Sequence, residues 1–378
     1  MSSLETAAQP DTILVNRSPG ETRYALLARG ELIEIVYRRD GDMHPGAVYL
    51  GRVGARVPQL DAVFVDVGTS SAGVLKAKSP FPTEGTPIAV GVVVPPRAGK
   101  GPELKRAAQE IENGSGKVPR VVAAAPEPVA DWWTRHASSI KRIVCEPRSE
   151  ATRLQTMLDP GAPVVWNDSA AALFEDEGIE DAIEAALSPR VPLPCGGAVT
   201  IEPTAGAVVI DVDSGAAPPV VANNEAISAV AVELRRRNIS GHILIDVIPA
   251  KGRAALPRLL GKLLNDDPAP ARVAGLTPLG MLELTRARTD LSLAETLLDP
   301  DGRPSARSVA LQVLRRAVRE AFRTRAARVS LAVSEDVYGL LTGALRPAVV
   351  EAHDTGNVDV ELAARADFVR ERFEVLHA

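Results

Sequence analysis

GAVVIDVDSG (residues 206–215) and HILIDVIP (residues 242–249) are two strand-like runs that carry aspartates after an apolar stretch, and one helix-like segment joins them. Val208, Val209 and Ile210 precede Asp211, as Ile243, Leu244 and Ile245 precede Asp246, which is how buried parallel strands read. Between them Asn223 and Asn224 are N-cap residue types, and Ile227, Val230, Ala231 and Leu234 recur at helical spacing. Arg235, Arg236 and Arg237 suit a last helical turn, and Gly241 closes the segment. The spacing predicts a β-α-β unit, whose right-handed crossover sets the carboxyl ends of two parallel strands side by side, where open α/β sheets bind ligands. A carboxylate ending such a strand is costly unless it is paired or bound to a cation. Asp211 and Asp213, two apart, share one strand face. Oxygen-only donors in a partly open cluster suit magnesium, or manganese, with phosphate oxygens and water completing the shell, and phosphoryl transfer follows from that chemistry. Against this stands plain turn chemistry in Asp213-Ser214-Gly215, the better reading for any one aspartate alone. For Asp211 and Asp246 together, the metal reading is the stronger.

Working outward, 378 residues with 46% apolar content predict two or three domains with a substantial core. Aromatics make up only 3%, so aliphatic side chains and alanine must fill the interior. The formal charge of −5 excludes a wholly basic nucleic-acid-binding surface but leaves room for local basic faces. Cys145 and Cys195 are the only cysteines and form no CxxC, so neither structural zinc nor a disulfide framework is expected. MSSLETAAQPDTILV (1–15) lacks a basic stretch followed by an apolar one, and no run of about 18 apolar residues occurs, so a cytoplasmic protein without export signal or membrane span is expected.

Along the chain, TILVN (12–16) and YALLARGELIEIVYRR (24–39) break at Arg29-Gly30 like a hairpin, giving an N-terminal hairpin over 1–38 that packs on the core. Short β-like pieces punctuated by Gly and Pro, from GAVYLGRVGARV through DAVFVDVG, SAGVLKAK and TPIAVGVVV, fit a small barrel over 39–112. Residues 113–130 read as a connector, 131–187 as a mixed α/β subdomain, 188–295 as the aspartate-bearing domain and 303–378 as a small C-terminal domain. Its helix over 305–325 carries an apolar stripe of Leu311, Leu314, Val318 and Phe322 beside a solvated basic face.

GAVYLGRVGARVPQLDAVFVDVGTSSAGVL (46–75) resembles the S1-type OB-fold inserted near the start of the ribonuclease E/G family of bacterial endoribonucleases. PLPCGGAVTIEPTAGAVVIDVDSG (192–215), NISGHILIDVIP (238–249) and LGMLELTRARTDLSL (279–293) resemble, in order, consecutive blocks of that family's catalytic domain. The resemblance implies an inserted OB barrel, an α/β catalytic core, a small C-terminal α/β domain, and hydrolysis of single-stranded RNA with magnesium at Asp211 and Asp246. It also implies departures. Asp213 stands where the family commonly has asparagine, and Pro249 where it usually has a further acid. LLDPDGRP (297–304) replaces the CxxC through which family subunits share zinc, so any homo-oligomer is expected to be held without zinc. The region after the barrel is short, and no Arg-Thr pair for sensing a 5′-monophosphate is found in it.

For RNA contacts, Phe64 matches an aromatic position of the family and offers a base-stacking face, while the second aromatic is replaced by Val74. Lys100, Lys105 and Arg106, in RAGKGPELKR, are placed to hold phosphates, although a loop charge run is usually solvated surface. Arg286 and Arg288 match a basic block and are candidates to neutralise phosphate charge. GKGPELK lacks the GxxxxGK[ST] pattern of a P-loop. Of Trp132 and Trp133 at least one is expected in the core; His242 is expected to be a satisfied buried histidine; and Cys145 with His136 lacks an orienting acid for nucleophilic catalysis. Two rivals stand beside the nuclease: a non-catalytic RNA-binding relative, suggested by Pro249, Val74 and the missing zinc link, and a haloacid-dehalogenase-type phosphatase. The latter would use Asp211 as nucleophile, Asp213 as acid, Lys251 or Lys262, and a second acidic pair at Asp266-Asp267.

Overall fold

In the computed structural model, residues 9–97, 99–108, 117–169, 172–356 and 358–377 are described. The chain divides into two compact units, one built of residues 1–40, 132–187 and 293–378 and the other of 41–131 and 188–292. Residues 109–116, at the junction of the expected barrel and connector, lie outside the described residues.

In the first unit the N-terminal strands do not stop at a hairpin. Thr12–Ser18 pairs antiparallel with Glu21–Ala28 and parallel with Arg142–Glu146, in a five-stranded sheet ordered Val164–Trp166, Arg142–Glu146, Thr12–Ser18, Glu21–Ala28, Glu31–Arg39. Leu14, Leu27, Val144, Phe174 and Ile183 close its core. Glu21 is buried in this sheet and its carboxylate meets Arg39 at 2.8 Å and Arg315 at 3.1 Å. Burial alone would raise its pKa, but the field of Arg39, Arg315 and Arg23 outweighs desolvation and holds the carboxyl below its ordinary value. The helix Ala306–Thr324 starts at Ser305, whose hydroxyl accepts from the Ser308 amide, and packs on a three-stranded sheet through Leu311, Leu314 and Ala317. Phe322 leaves the expected apolar stripe: it is 82% exposed. Trp132 is core, its Nε1 donating to Glu34 at 2.9 Å.

The second unit contains a closed five-stranded barrel of Val48–Val57, Ala62–Asp66, Gly73–Lys76, Glu103–Arg106 and Pro87–Val94, in which first and last pair with each other, as an OB-fold requires. Val63, Val65, Leu75, Val90 and Leu104 fill it. Part of the expected connector is instead structured, because Arg120–Ala123 forms a strand against Val48–Val57. The same unit holds a six-stranded sheet ordered Arg190–Pro192, Ala198–Pro203, Val208–Asp213, Gly241–Asp246, Met281–Arg286, Ala271–Leu276. Only Val208–Asp213 and Gly241–Asp246 run parallel, joined by the helix Pro219–Arg236. That helix buries Ala226, Ile227, Val230 and Leu234 against Ile210, Val212, Ile243 and Ile245, and Leu256–Leu263 adds Leu256 and Leu260 to the same core.

Candidate active site on an open sheet face

Period-2 alternation on the two parallel strands sends Ile210, Val212, Ile243, Ile245 and Val247 into the core and Asp211, Asp213 and Asp246 out of it. All three aspartates are exposed, so the expected cost of burying them does not arise: helices cover one face of this sheet and leave the other open. Asp211 and Asp246 are direct register partners across the parallel pair. Strands about 4.8 Å apart put their side chains next to each other on one face. Thr200 flanks Asp211 on one side and Met281 flanks Asp246 on the other, completing a row across four strands. Neither carboxylate makes an ion pair or side-chain hydrogen bond with any described residue, so both remain available to a cation.

Asp213 differs. Its Oδ1 accepts from the Gly215 amide at 2.9 Å, and its Oδ2 lies 3.7 Å from Arg190, so the turn chemistry is real and engages one oxygen. The turn packs closely on Gly196-Gly197: a Cβ on Gly197 would lie 2.3 Å from the Asp213 carbonyl oxygen, which only glycine avoids. Among the described residues no group of three or more His, Cys, Asp or Glu side chains is placed to hold a metal. The donor set is therefore two carboxylates. That fits magnesium, which is commonly bound by one or two carboxylates and keeps several waters.

The loop after Asp246 is fixed by a residue read differently from sequence. The helix begins at Pro219, a first-turn position suited to proline, so Asn223 is not a cap but lies one turn inside. It is buried, its Nδ2 donating to the Ile248 carbonyl at 2.8 Å and its Oδ1 accepting from the Ile248 amide at 3.0 Å. The adjacent Pro218-Pro219 was the signal that could have placed it. Farther along, Arg253 lies over Gly280, with Nη1 3.0 Å from where a Cβ would stand. Gly280 adjoins Met281, the register partner of Asp246, and no described residue pairs with the Arg253 guanidinium.

The other expected contacts separate clearly. Arg286, expected at phosphate, is buried: Nε and Nη2 donate to Asp267 at 2.9 and 2.8 Å, and Nη1 to Asn238 and the Ile239 carbonyl. It shares strand parity with Leu282 and Leu284, so its inward direction was legible. Arg288 is half-buried and not without partners. The Asp267 latch lies at the opposite end of the strands from Asp246, which separates the acidic pair that a dehalogenase-type phosphatase needs from Asp211. On the barrel Phe64 is 38% exposed while Val63 and Val65 are fully buried, and Val74 is its direct cross-strand neighbour. Lys105 and Arg106 are exposed on Glu103–Arg106, and Lys100 is exposed in the turn bridged to Arg97. His242, expected to be buried and satisfied, is exposed. Burial, then Glu150, push the Cys145 thiol up to about 12, which leaves no thiolate for catalysis.

Residues 102–289, which contain both parallel strands and the last barrel strand, match the profile of the ribonuclease E/G family. The chain belongs to the ribonuclease E/G family. Ribonuclease G of Haemophilus influenzae is 26% identical over 399 residues, covering 76% of this chain and 81% of that protein. Ribonuclease G of Salmonella typhimurium is 24% identical over 483 residues, covering 96% and 99%. Ribonuclease E of a Synechocystis strain is 33% identical over 184 residues, which is 44% of this chain and only 27% of the relative. The chain thus spans about a quarter of the cyanobacterial ribonuclease E proteins it resembles. Among the described residues no helix is long and apolar enough to cross a membrane.

Proposed function

We propose that the chain is a divalent-metal-dependent endoribonuclease that hydrolyses single-stranded RNA. One observation supports this reading most: two carboxylates without a partner among the described residues, Asp211 and Asp246, stand side by side on an open sheet face within the segment that matches the family. A magnesium or manganese ion held by that pair would activate water and offset the charge that develops on phosphorus. The water oxygen bonds to phosphorus as an ester P–O bond of the backbone breaks. Asp213, with one oxygen engaged by Gly215, orients water beside the pair. Asn223 keeps the backbone after Asp246 in place, and Arg253, in place of Arg286, is the open cation beside the row that meets a phosphate oxygen. The barrel captures the strand: Phe64 stacks a base, and Lys100, Lys105 and Arg106 attract phosphates. Pro249 supplies no acceptor, so the site relies on two carboxylates.

A labelled single-stranded RNA incubated with the protein is expected to be cleaved internally with magnesium and to stay intact with chelator. Tight binding that is indifferent to magnesium and gives no product over long incubation would establish the non-catalytic relative instead.

A further inference from the structure

The carboxylate row also contains a cation. Register partners run across the sheet as Arg190, Thr200, Asp211, Asp246 and Met281, and residues paired in this way project from one side, so Arg190 shares the open face with both aspartates. Its strand is anchored on both sides: the Arg190 amide donates to the Ser188 hydroxyl at 3.3 Å, the Pro189 carbonyl accepts from the Ile201 amide at 2.8 Å, and the Ser188 carbonyl accepts from Arg237 Nη1 at 2.7 Å. From there the side chain reaches across the intervening strand Ala198–Pro203 to within 3.7 Å of Asp213 Oδ2. Asp213 is held to meet it, because the Gly215 amide engages Oδ1 at 2.9 Å. At 3.7 Å the contact is Coulombic rather than a hydrogen bond, and the guanidinium makes no hydrogen bond with a described residue. The two side chains are 60% and 52% exposed, and an ion pair so open to water contributes little to stability, so the fold supplies no reason for this pair.

The reason lies in the charge of the face. Asp213 stands two residues from Asp211 on the same side of the strand, so three carboxylates share one open surface. A third negative charge tightens the hold on a divalent cation and at the same time repels a phosphodiester, which is an anion itself. Of the three, only Asp213 has a counter-cation among the described residues. We infer that Arg190 is a charge-balancing residue of the catalytic site: by offsetting Asp213 it brings the face back to the charge of the two carboxylates that share the ion, and so admits the RNA backbone; this rests on the nuclease reading above. Arg190 acts through Asp213 and through its field, as a positioning residue, and does not touch the reacting atoms. Its strand lies two places from that of Asp211, about 10 Å at roughly 4.8 Å per strand. A unit charge at about that separation shifts the affinity for a divalent ion by about three- to fivefold at low ionic strength, and the shift fades above about 0.1 M salt.

The experiment uses the full chain and has two readouts: manganese affinity without RNA, from electron paramagnetic resonance titrations, and KM for a single-stranded RNA oligonucleotide at saturating magnesium. At low salt Arg190→Ala should bind manganese about three- to fivefold more tightly than the wild type while its KM for RNA rises by about threefold, and both differences should shrink as salt is added. A merely structural loss would not tighten metal binding. Arg190→Lys keeps the charge and should stay near the wild type in both readouts. Asp213→Asn should weaken manganese binding by about the factor that Arg190→Ala strengthens it, and the double variant Arg190→Ala/Asp213→Asn should return to within about twofold of the wild-type affinity. Arg190 is exposed, so its removal leaves the core intact. Unchanged or weaker manganese binding in Arg190→Ala, an unchanged KM, or a lysine variant that behaves like the alanine variant would overturn the charge-balancing role. If that happens while the wild type binds manganese and cleaves RNA, the nuclease reading stands without it; a wild type that binds no manganese and leaves RNA intact overturns that reading and the inference together.

Discussion

Replacing Asn223 with alanine should damage both the fold and the reaction, because this one buried amide closes both hydrogen bonds that hold the turn after Asp246. Each bond contributes on the order of 1 kcal/mol net, and leaving the Ile248 amide and carbonyl without partners adds a desolvation penalty, so a loss of about 3 kcal/mol is expected. For a unit of roughly 200 residues that corresponds to a drop of about 6–12 °C in melting temperature, at roughly 2–4 °C per kcal/mol. The positional effect comes on top. Groups that orient metal ligands from behind typically cost 10–100-fold in activity when removed, and Asn223 supports the backbone two residues beyond Asp246. Thermal unfolding by circular dichroism gives the first number; single-turnover cleavage of a fluorescent single-stranded RNA, run well below the melting temperature, gives the second. Asn223→Asp is the informative companion. It keeps an acceptor for the Ile248 amide but turns an acceptor toward the Ile248 carbonyl, so it should recover only part of the loss. A melting temperature within about 2 °C of wild type and unchanged cleavage for Asn223→Ala would refute the reasoning.

Other perturbations separate structure from recognition. Arg286→Ala leaves Asp267 buried and unpaired and should cost about 3–5 kcal/mol of stability, read as a lowered denaturation midpoint, while the salt dependence of RNA binding stays as it was; a weaker salt dependence in a stably folded variant would contradict its burial. Glu21 has a folded-state pKa below its ordinary 4.5, so the stability it adds is present above that value and is lost as pH falls through the lower, folded value. Glu21→Gln should therefore flatten the acid limb of the stability curve, measured by denaturant titration from neutral pH downward, and an unchanged limb would count against the ion cluster. Phe64→Ala should weaken RNA binding by about 1–3 kcal/mol in fluorescence anisotropy without lowering the melting temperature appreciably, since the ring lies outside the barrel core. Loss of folding instead would place that ring in the interior.

The pairing of Asp211 with Asp246 was legible because two apolar runs of similar length, each broken by an acid and joined by one helical stretch, leave little freedom of register. Their exposure was not legible. A run such as Val-Val-Ile-Asp reads as buried on both faces, and only the tertiary arrangement shows that helices cover one side and leave Val209 and Leu244 half-buried on the other. Asn223 was misplaced because asparagine is an excellent cap in isolation, yet Pro218-Pro219 starts the helix earlier and turns that asparagine inward to bind a loop. Arg286 and His242 were misassigned in opposite directions for one reason. Residue type suggested a surface arginine and a buried histidine, whereas strand parity with Leu284 and with Asp246 puts each on the other side. The barrel strands could be read from their alternation, but closure depends on the long-range pairing of Val48–Val57 with both Ala62–Asp66 and Pro87–Val94, which no local pattern encodes.

Binding of manganese, followed by electron paramagnetic resonance in the absence of RNA, addresses the paired carboxylates most directly. The wild type should bind manganese at a site that magnesium competes for, and Asp211→Asn and Asp246→Asn should each abolish that site while the melting temperature stays close to wild type, because both side chains are exposed and neither makes a side-chain hydrogen bond or ion pair with a described residue. Undiminished manganese binding in both variants would contradict the shared-ion site on which the account rests.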